Sequence, residues 1–91
     1  MVDAEITITN AAGLHARPAA LFVRTAAGFE SSIRVRNLSR DAEREADAKS
    51  ILSVMTLGIE QGHIISISAE GPDETAAIDT LRALAKGNID E

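Results

Sequence analysis

Val2, Ala4, Ile6 and Ile8 alternate with Asp3, Glu5, Thr7 and Thr9, the period-two pattern of a half-buried strand. The alternation stops at Asn10 to Gly13. From Ala16 the period changes, because Ala19, Phe22, Val23 and Ala26 recur at helical spacing until Gly28 closes the stripe. Pro18 lacks an amide hydrogen and is tolerated only in a first turn, which sets the helix start near His15 or Ala16. Ser32 to Leu38 alternates again, with Ile33 and Val35 on one face and Arg34 and Arg36 on the other. The charged run from Ser39 to Glu45 has almost no large apolar group, so it predicts a solvated turn and then an edge strand through Arg44 to Asp47.

Ser50 to Leu57 reads as a short helix ended by Gly58, with Ser50 at its cap. After Gly62, Ile64 to Ala69 is β-rich and reads as a buried strand. Gly71-Pro72-Asp73-Glu74 signals a turn and a helix start, with Asp73 or its neighbour as cap. Ala77, Ile78, Leu81, Leu84 and Ala85 then form a helical stripe ending near Gly87. The order β-α-β-β-α-β-α, without repeats or linker, predicts one α+β domain over 1–91. Its architecture is an open-faced sandwich: a four-stranded antiparallel sheet with three helices on one face.

Composition narrows this picture. Alanine supplies sixteen of the forty-one apolar residues, which suits helices lying close on a sheet. With 91 residues and no cysteine there is no disulfide and no room for a second core, so apolar packing has to carry the fold. Nine Lys plus Arg against fourteen Asp plus Glu give a net charge of −5, the wrong sign for general attraction to nucleic acid. No apolar run approaches the roughly 20 residues that span a bilayer. Met1 to Glu5 lacks the basic start of a signal peptide, so no membrane insertion and a cytoplasmic location are expected.

The chemistry concentrates in Gly13-Leu14-His15-Ala16-Arg17-Pro18-Ala19-Ala20, where a titratable nucleophile stands at a helix start. A helix N-terminus offers unpaired amide N–H groups and about half a positive charge, so it can hold a phosphoryl group on the preceding residue. Arg17 adds a permanent cation. Dipole and guanidinium both favour the neutral, nucleophilic imidazole, and both would stabilise a phosphoryl dianion once formed. A polar helix cap is the plainer role for such a histidine. Metal binding is not expected, since His63 beside Gly62 has no Cys or His at ligand spacing and reads as an exposed loop residue.

Gly13 to Ala20 resembles the active-site signature of the HPr family, the histidine-containing phosphocarriers of the bacterial phosphotransferase system. Ala48-Lys49-Ser50-Ile51-Leu52-Ser53-Val54-Met55-Thr56-Leu57-Gly58 is similar to that family's regulatory serine helix, and Ile67 to Gly71 resembles its last strand. The resemblance implies a carrier rather than a self-contained enzyme. It implies that His15 takes a phosphoryl group at Nδ1 from phosphorylated enzyme I, itself charged by phosphoenolpyruvate, and passes it to enzyme IIA domains. Arg17 would clamp the phosphate, and the backbone amides of Ala16 and Arg17 would complete the anion site. No resident cofactor is implied beyond the transient covalent phosphate, and a monomer is expected.

The same resemblance points to a docking patch. Val54 and Leu57 read as core, which is also the default by spacing for Leu52 and Met55. The resemblance instead makes Ile51, Leu52 and Met55, joined by Ala16 and Ala20, an exposed stripe that would meet both partners, with Arg24 and Lys49 at its rim. Ser50 is a cap by its position. In part of the family a dedicated HPr kinase phosphorylates the serine there, which would put roughly −1.5 to −2 charges inside the patch. Ala12 stands where many members carry Asn or Ser, leaving imidazole orientation to backbone groups or Asn10. The segment from Ser39 to Asp47 is longer than the common form and is expected to extend a hairpin. Two other outputs fit the element order: a paralogue in a regulatory, nitrogen-type phosphorelay, and a ferredoxin-like module that binds a metabolite or partner without phosphotransfer.

Overall fold

The computed structural model describes residues 1–9 and 16–86. Four strands, β1 (Val2–Thr7), β2 (Ser32–Asn37), β3 (Asp41–Asp47) and β4 (Ile64–Glu70), alternate with helices α1 (Ala16–Ala27), α2 (Ile51–Met55) and α3 (Glu74–Lys86) in the expected order. The sheet runs β1-β4-β2-β3, all antiparallel, so β1 and β3 are its edges. Register explains how alternation becomes a two-faced layer. Val35 pairs with Ile67 and Ala46, and Ile6 pairs with Ile65, so buried residues align across strands. Arg34, Arg36, Asp3 and Glu5 face solvent on the other side.

The helices cover only the apolar face. From α1 come Ala19, Phe22 and Ala26, from α3 Ala77, Ile78, Leu81 and Ala85, and from the α2 region Val54, Leu57 and Ile59, all buried. Alanine on these faces lets backbones lie close to the sheet, while Phe22 and the isoleucines fill the remaining space. Each large apolar side chain buried in this way contributes about 1.5–3 kcal/mol. The fold is an open-faced α+β sandwich.

Four expectations need correction. The strand expected to begin at Arg44 begins at Asp41: pairing with β2 jumps from Arg36↔Glu45 to Asn37↔Asp41, so Ala42, Glu43 and Arg44 form a bulge on an edge with no neighbour to exclude it. Helix α2 ends at Met55, where Thr56 caps it by donating its N–H to Leu52 and Ser53 carbonyls at 3.2 Å, and Gly58 then turns the chain at φ +60°. The Asp73 carboxylate does not serve its own helix. It accepts from the Glu30 N–H at 2.9 Å, the Ser31 N–H at 3.0 Å and the Ser31 hydroxyl, latching α3 to the entry of β2. His63 is half-buried rather than exposed, because two N–H donors hold its ring.

Latch and turn explain each other at Gly71. A Cβ there would stand 2.6 Å from Ser31 Cα, and φ is +155°, so glycine is required for the close approach. Glu74 completes the start of α3 by accepting the Gly71 N–H at 3.1 Å. The Ser31 hydroxyl, then the Glu30 N–H, hold the Asp73 carboxyl below its ordinary value, and the Gly71 N–H does the same for Glu74.

Candidate functional site

Helix α1 begins at Ala16, the residue that follows His15 in the chain. His15 itself, with Asn10, Ala12 and Gly13, lies outside the described residues, as do the side chains of Ala16 and Arg17. The helix boundary agrees with Pro18 in the first turn, where no intrahelical donor is lost. Beyond it, the α1 stripe is buried at Ala19 and Phe22, Ala20 is half-buried, and Arg24 is exposed.

Helix α2 packs beside α1 and is pinned at its start. Ser50 has extended backbone angles and accepts the Ser53 N–H on its hydroxyl at 3.4 Å, the expected cap. Lys49 is not a free rim cation alone: its Nζ donates to the Phe29 carbonyl at 2.7 Å, tying the entry of α2 to the chain just past α1. The Asp47 carboxylate accepts the Lys49 N–H at 2.9 Å, so the turn from β3 into α2 is hydrogen-bonded throughout.

A five-residue helix with one buried side chain, Val54, leaves the rest of its apolar surface outside. Leu52 is 77% exposed, Met55 40% and Ile51 37%. Val54 and Leu57 turn inward as expected, and of the two readings open for Leu52 and Met55 the structure takes the exposed one. Three large apolar groups left to solvent on one short, capped helix form a surface suited to protein contact.

The signal missed in the sequence lies at Asn37. It continues the buried face of Ile33 and Val35 and is 1% exposed, yet it is polar and fully hydrogen-bonded, to Leu57 O at 3.1 Å, His63 Nδ1 at 3.0 Å and the Ser39 N–H at 3.2 Å. An asparagine on the apolar phase of an alternating strand was the available clue. Among the described residues no group of three His, Cys, Asp or Glu could hold a metal ion, and no helix is long and apolar enough to cross a membrane. A polar depression on the helix-free face, lined by Ser32, Arg34, Glu45, Ser68 and Glu70, lies away from the α2 surface.

An open-faced sandwich with a helix starting directly after a histidine, and a short apolar helix packed beside it, is the architecture of a phosphocarrier domain. The comparisons agree across the whole fold. A family model described as "PTS HPr component phosphorylation site" matches residues 2–86, and the chain belongs to that HPr family. The phosphocarrier protein HPr of Treponema pallidum is 41% identical over 91 residues, covering 100% of this chain and 99% of that one. A crystal structure of HPr from Thermoanaerobacter tengcongensis superposes with a TM-score of 0.86 at 47% identity, covering 93% of this chain and 91% of that chain. The multiphosphoryl transfer protein of Vibrio cholerae is 42% identical over 88 residues, covering 97% of this chain but only 22% of that longer protein.

Proposed function

We propose that this chain carries a phosphoryl group on His15 between two protein partners of the phosphotransferase system. The neutral imidazole attacks phosphorus through Nδ1, the bond from phosphorus to the donor breaks as the new P–N bond forms, and the reverse step hands the group on. Phosphorylated enzyme I is the donor and an enzyme IIA domain the acceptor. The observation that carries this reading is the start of α1 at Ala16, immediately after His15, in a chain that matches the HPr phosphorylation-site model over residues 2–86. The first amides of a twelve-residue helix, those of Ala16 and Arg17 among them, supply the partial positive charge that an N-phosphoryl dianion needs. Arg17 adds its guanidinium as clamp. The protein brings no resident cofactor of its own and works as a cytoplasmic monomer.

Docking falls to α2, with Ile51, Leu52 and Met55 as apolar contacts, Ala16 and Ala20 beside them, and Arg24 and Lys49 at the rim. Phosphorylation of Ser50 by a dedicated kinase would break the α2 cap and place a dianion among these groups, slowing uptake at His15.

Incubation with phosphoenolpyruvate, magnesium and enzyme I, followed by intact mass, tests the reading. The wild type is expected to gain one phosphate that acid removes and base spares. His15→Ala gains none, and Arg17→Ala gains it more slowly. A wild type that stays unmodified, or a His15→Ala protein that still takes up phosphate, overturns the assignment.

A further inference from the structure

We propose that His63 is a positioning residue for phosphoryl transfer, joining the end of the docking helix to the strand that feeds the His15 segment. The proposal rests on the carrier reading above. Its starting point is the orientation of the Asn37 amide. The Ser39 N–H can only donate, so its partner at 3.2 Å is the side-chain oxygen of Asn37; the Leu57 carbonyl can only accept, so its partner at 3.1 Å is the nitrogen. The remaining N–H of that nitrogen is left for His63 Nδ1, 3.0 Å away. The backbone N–H of Glu60 meets the same ring atom at 3.2 Å. Two donors converge on one lone pair, which assigns the ring proton to Nε2 and leaves Nδ1 bare.

The two ends of this link are functionally placed. On one side, Leu57 follows Met55 by two residues and closes the turn out of α2. On the other, the turn that carries His63 grips the end of β1: the Ile8 N–H donates to the His63 carbonyl at 2.8 Å, the Gly62 N–H to the Ile8 carbonyl at 2.7 Å, and Gln61 Nε2 to the Thr9 carbonyl at 3.2 Å. The chain that carries His15 leaves from Thr9. A continuous run of hydrogen bonds thus leads from the docking helix through Asn37 and His63 to the root of the phosphoryl-accepting segment. Its role is to keep the imidazole in register with the surface on which the partner sits, and transfer between two proteins depends on such alignment.

Steady-state transfer from enzyme I distinguishes this from simple support of the fold. His63→Ala is expected to lower kcat about tenfold with KM unchanged, since the docking surface stays intact while alignment is lost. His63→Asn, whose amide oxygen stands where Nδ1 accepts, is expected to restore kcat. A nitrogen-15 spectrum of the wild-type ring should show Nδ1 unprotonated and Nε2 protonated, a measurement that needs no variant to fold. Wild-type kcat in His63→Ala, a raised KM with kcat unchanged, failure of His63→Asn to rescue, or a protonated Nδ1 would each overturn the proposal. If the wild type takes up no phosphate at all, the carrier reading has failed and this one falls with it.

Discussion

Helices α2 and α3 both follow a strand through a polar turn, yet they are held in opposite ways. Helix α3 has thirteen residues, buries Ala77, Ile78, Leu81 and Ala85, and is latched by Asp73 to Ser31. Helix α2 has five residues and buries Val54 alone. So short a helix is not sustained by its own hydrogen bonds. It keeps its shape because Ser50 caps it, Lys49 ties its entry to Phe29, and Val54 and Leu57 reach the core on either side of its exit. The contrast separates two tasks: α3 holds the sheet together, and α2 is braced from both ends so that its outer apolar side can stay free.

The hardest test of that division is Leu81→Ala. Leu81 is fully buried against the sheet, and its truncation is expected to cost about 2–5 kcal/mol in denaturant unfolding. In conditions where the variant remains folded, its transfer kinetics should match the wild type. A loss of kcat in the folded variant would show that α3 shapes the site as well as the core.

Acid probes the latch at the start of α3. The Asp73 carboxyl titrates below its ordinary value when folded, the Ser31 hydroxyl being the largest cause, and Glu74 is lowered likewise by the Gly71 N–H. A carboxylate lowered by folding stabilises the protein above its unfolded pKa, and that contribution disappears as pH falls through the folded value. Asp73→Asn is therefore expected to melt below the wild type at neutral pH. The gap between them should begin to narrow as pH drops below about 4 and close as pH falls through the lower folded value. A gap that persists unchanged in acid would assign the difference to packing rather than to charge.

At α2 the corresponding change is Ser50→Ala, which removes the hydroxyl that accepts the Ser53 N–H. With a bond as long as 3.4 Å, the expected loss lies at the low end for a cap, about 0.5 kcal/mol. Hydrogen exchange should quicken at α2 amides and leave those of α3 unchanged. Equal quickening in both helices would mean that they unfold as one unit and that the division does not hold.

These contrasts also mark what could be read from the chain. Alternation in β1 and β2 and the 3.6-residue stripes of α1 and α3 state which side of each element meets the core, because burial there follows a simple period. Strand β4 was legible only as a β-rich buried strand, and its one-sided burial comes from the structure. The outward turn of Leu52 and Met55 was not settled by spacing, which allows either side in so short a helix; the resemblance pointed outward and the exposure of both residues decides it. Long-range polar bonds have no such period. Nothing within the local sequence pairs Asp73 with Ser31, forty-two residues apart, or Asn37 with His63, twenty-six apart. The edge strand β3 was half legible: a bulge at Ala42 to Arg44 extends it by keeping polar residues where solvent, not a neighbouring strand, is the alternative. On the chemistry, the motif around His15 carried the reading by resemblance, and its boundary with α1 is what the structure adds.

Leu52→Ser gives the smallest change in stability and the sharpest one in function. The side chain is 77% exposed, so its loss removes little apolar burial, and unfolding free energy should stay within about 0.5 kcal/mol of wild type. If α2 is the face that meets the partner, the same substitution deletes an apolar anchor at the contact, and KM for the carrier as substrate of enzyme I should rise while kcat holds. A lowered kcat at constant KM would instead place Leu52 with the residues that align His15, and α2 would then belong to the chemistry as well as to the encounter. Leu81→Ala is expected to move stability alone and Leu52→Ser recognition alone. A protein in which either variant moved both would have no such separation between its scaffold and its docking surface.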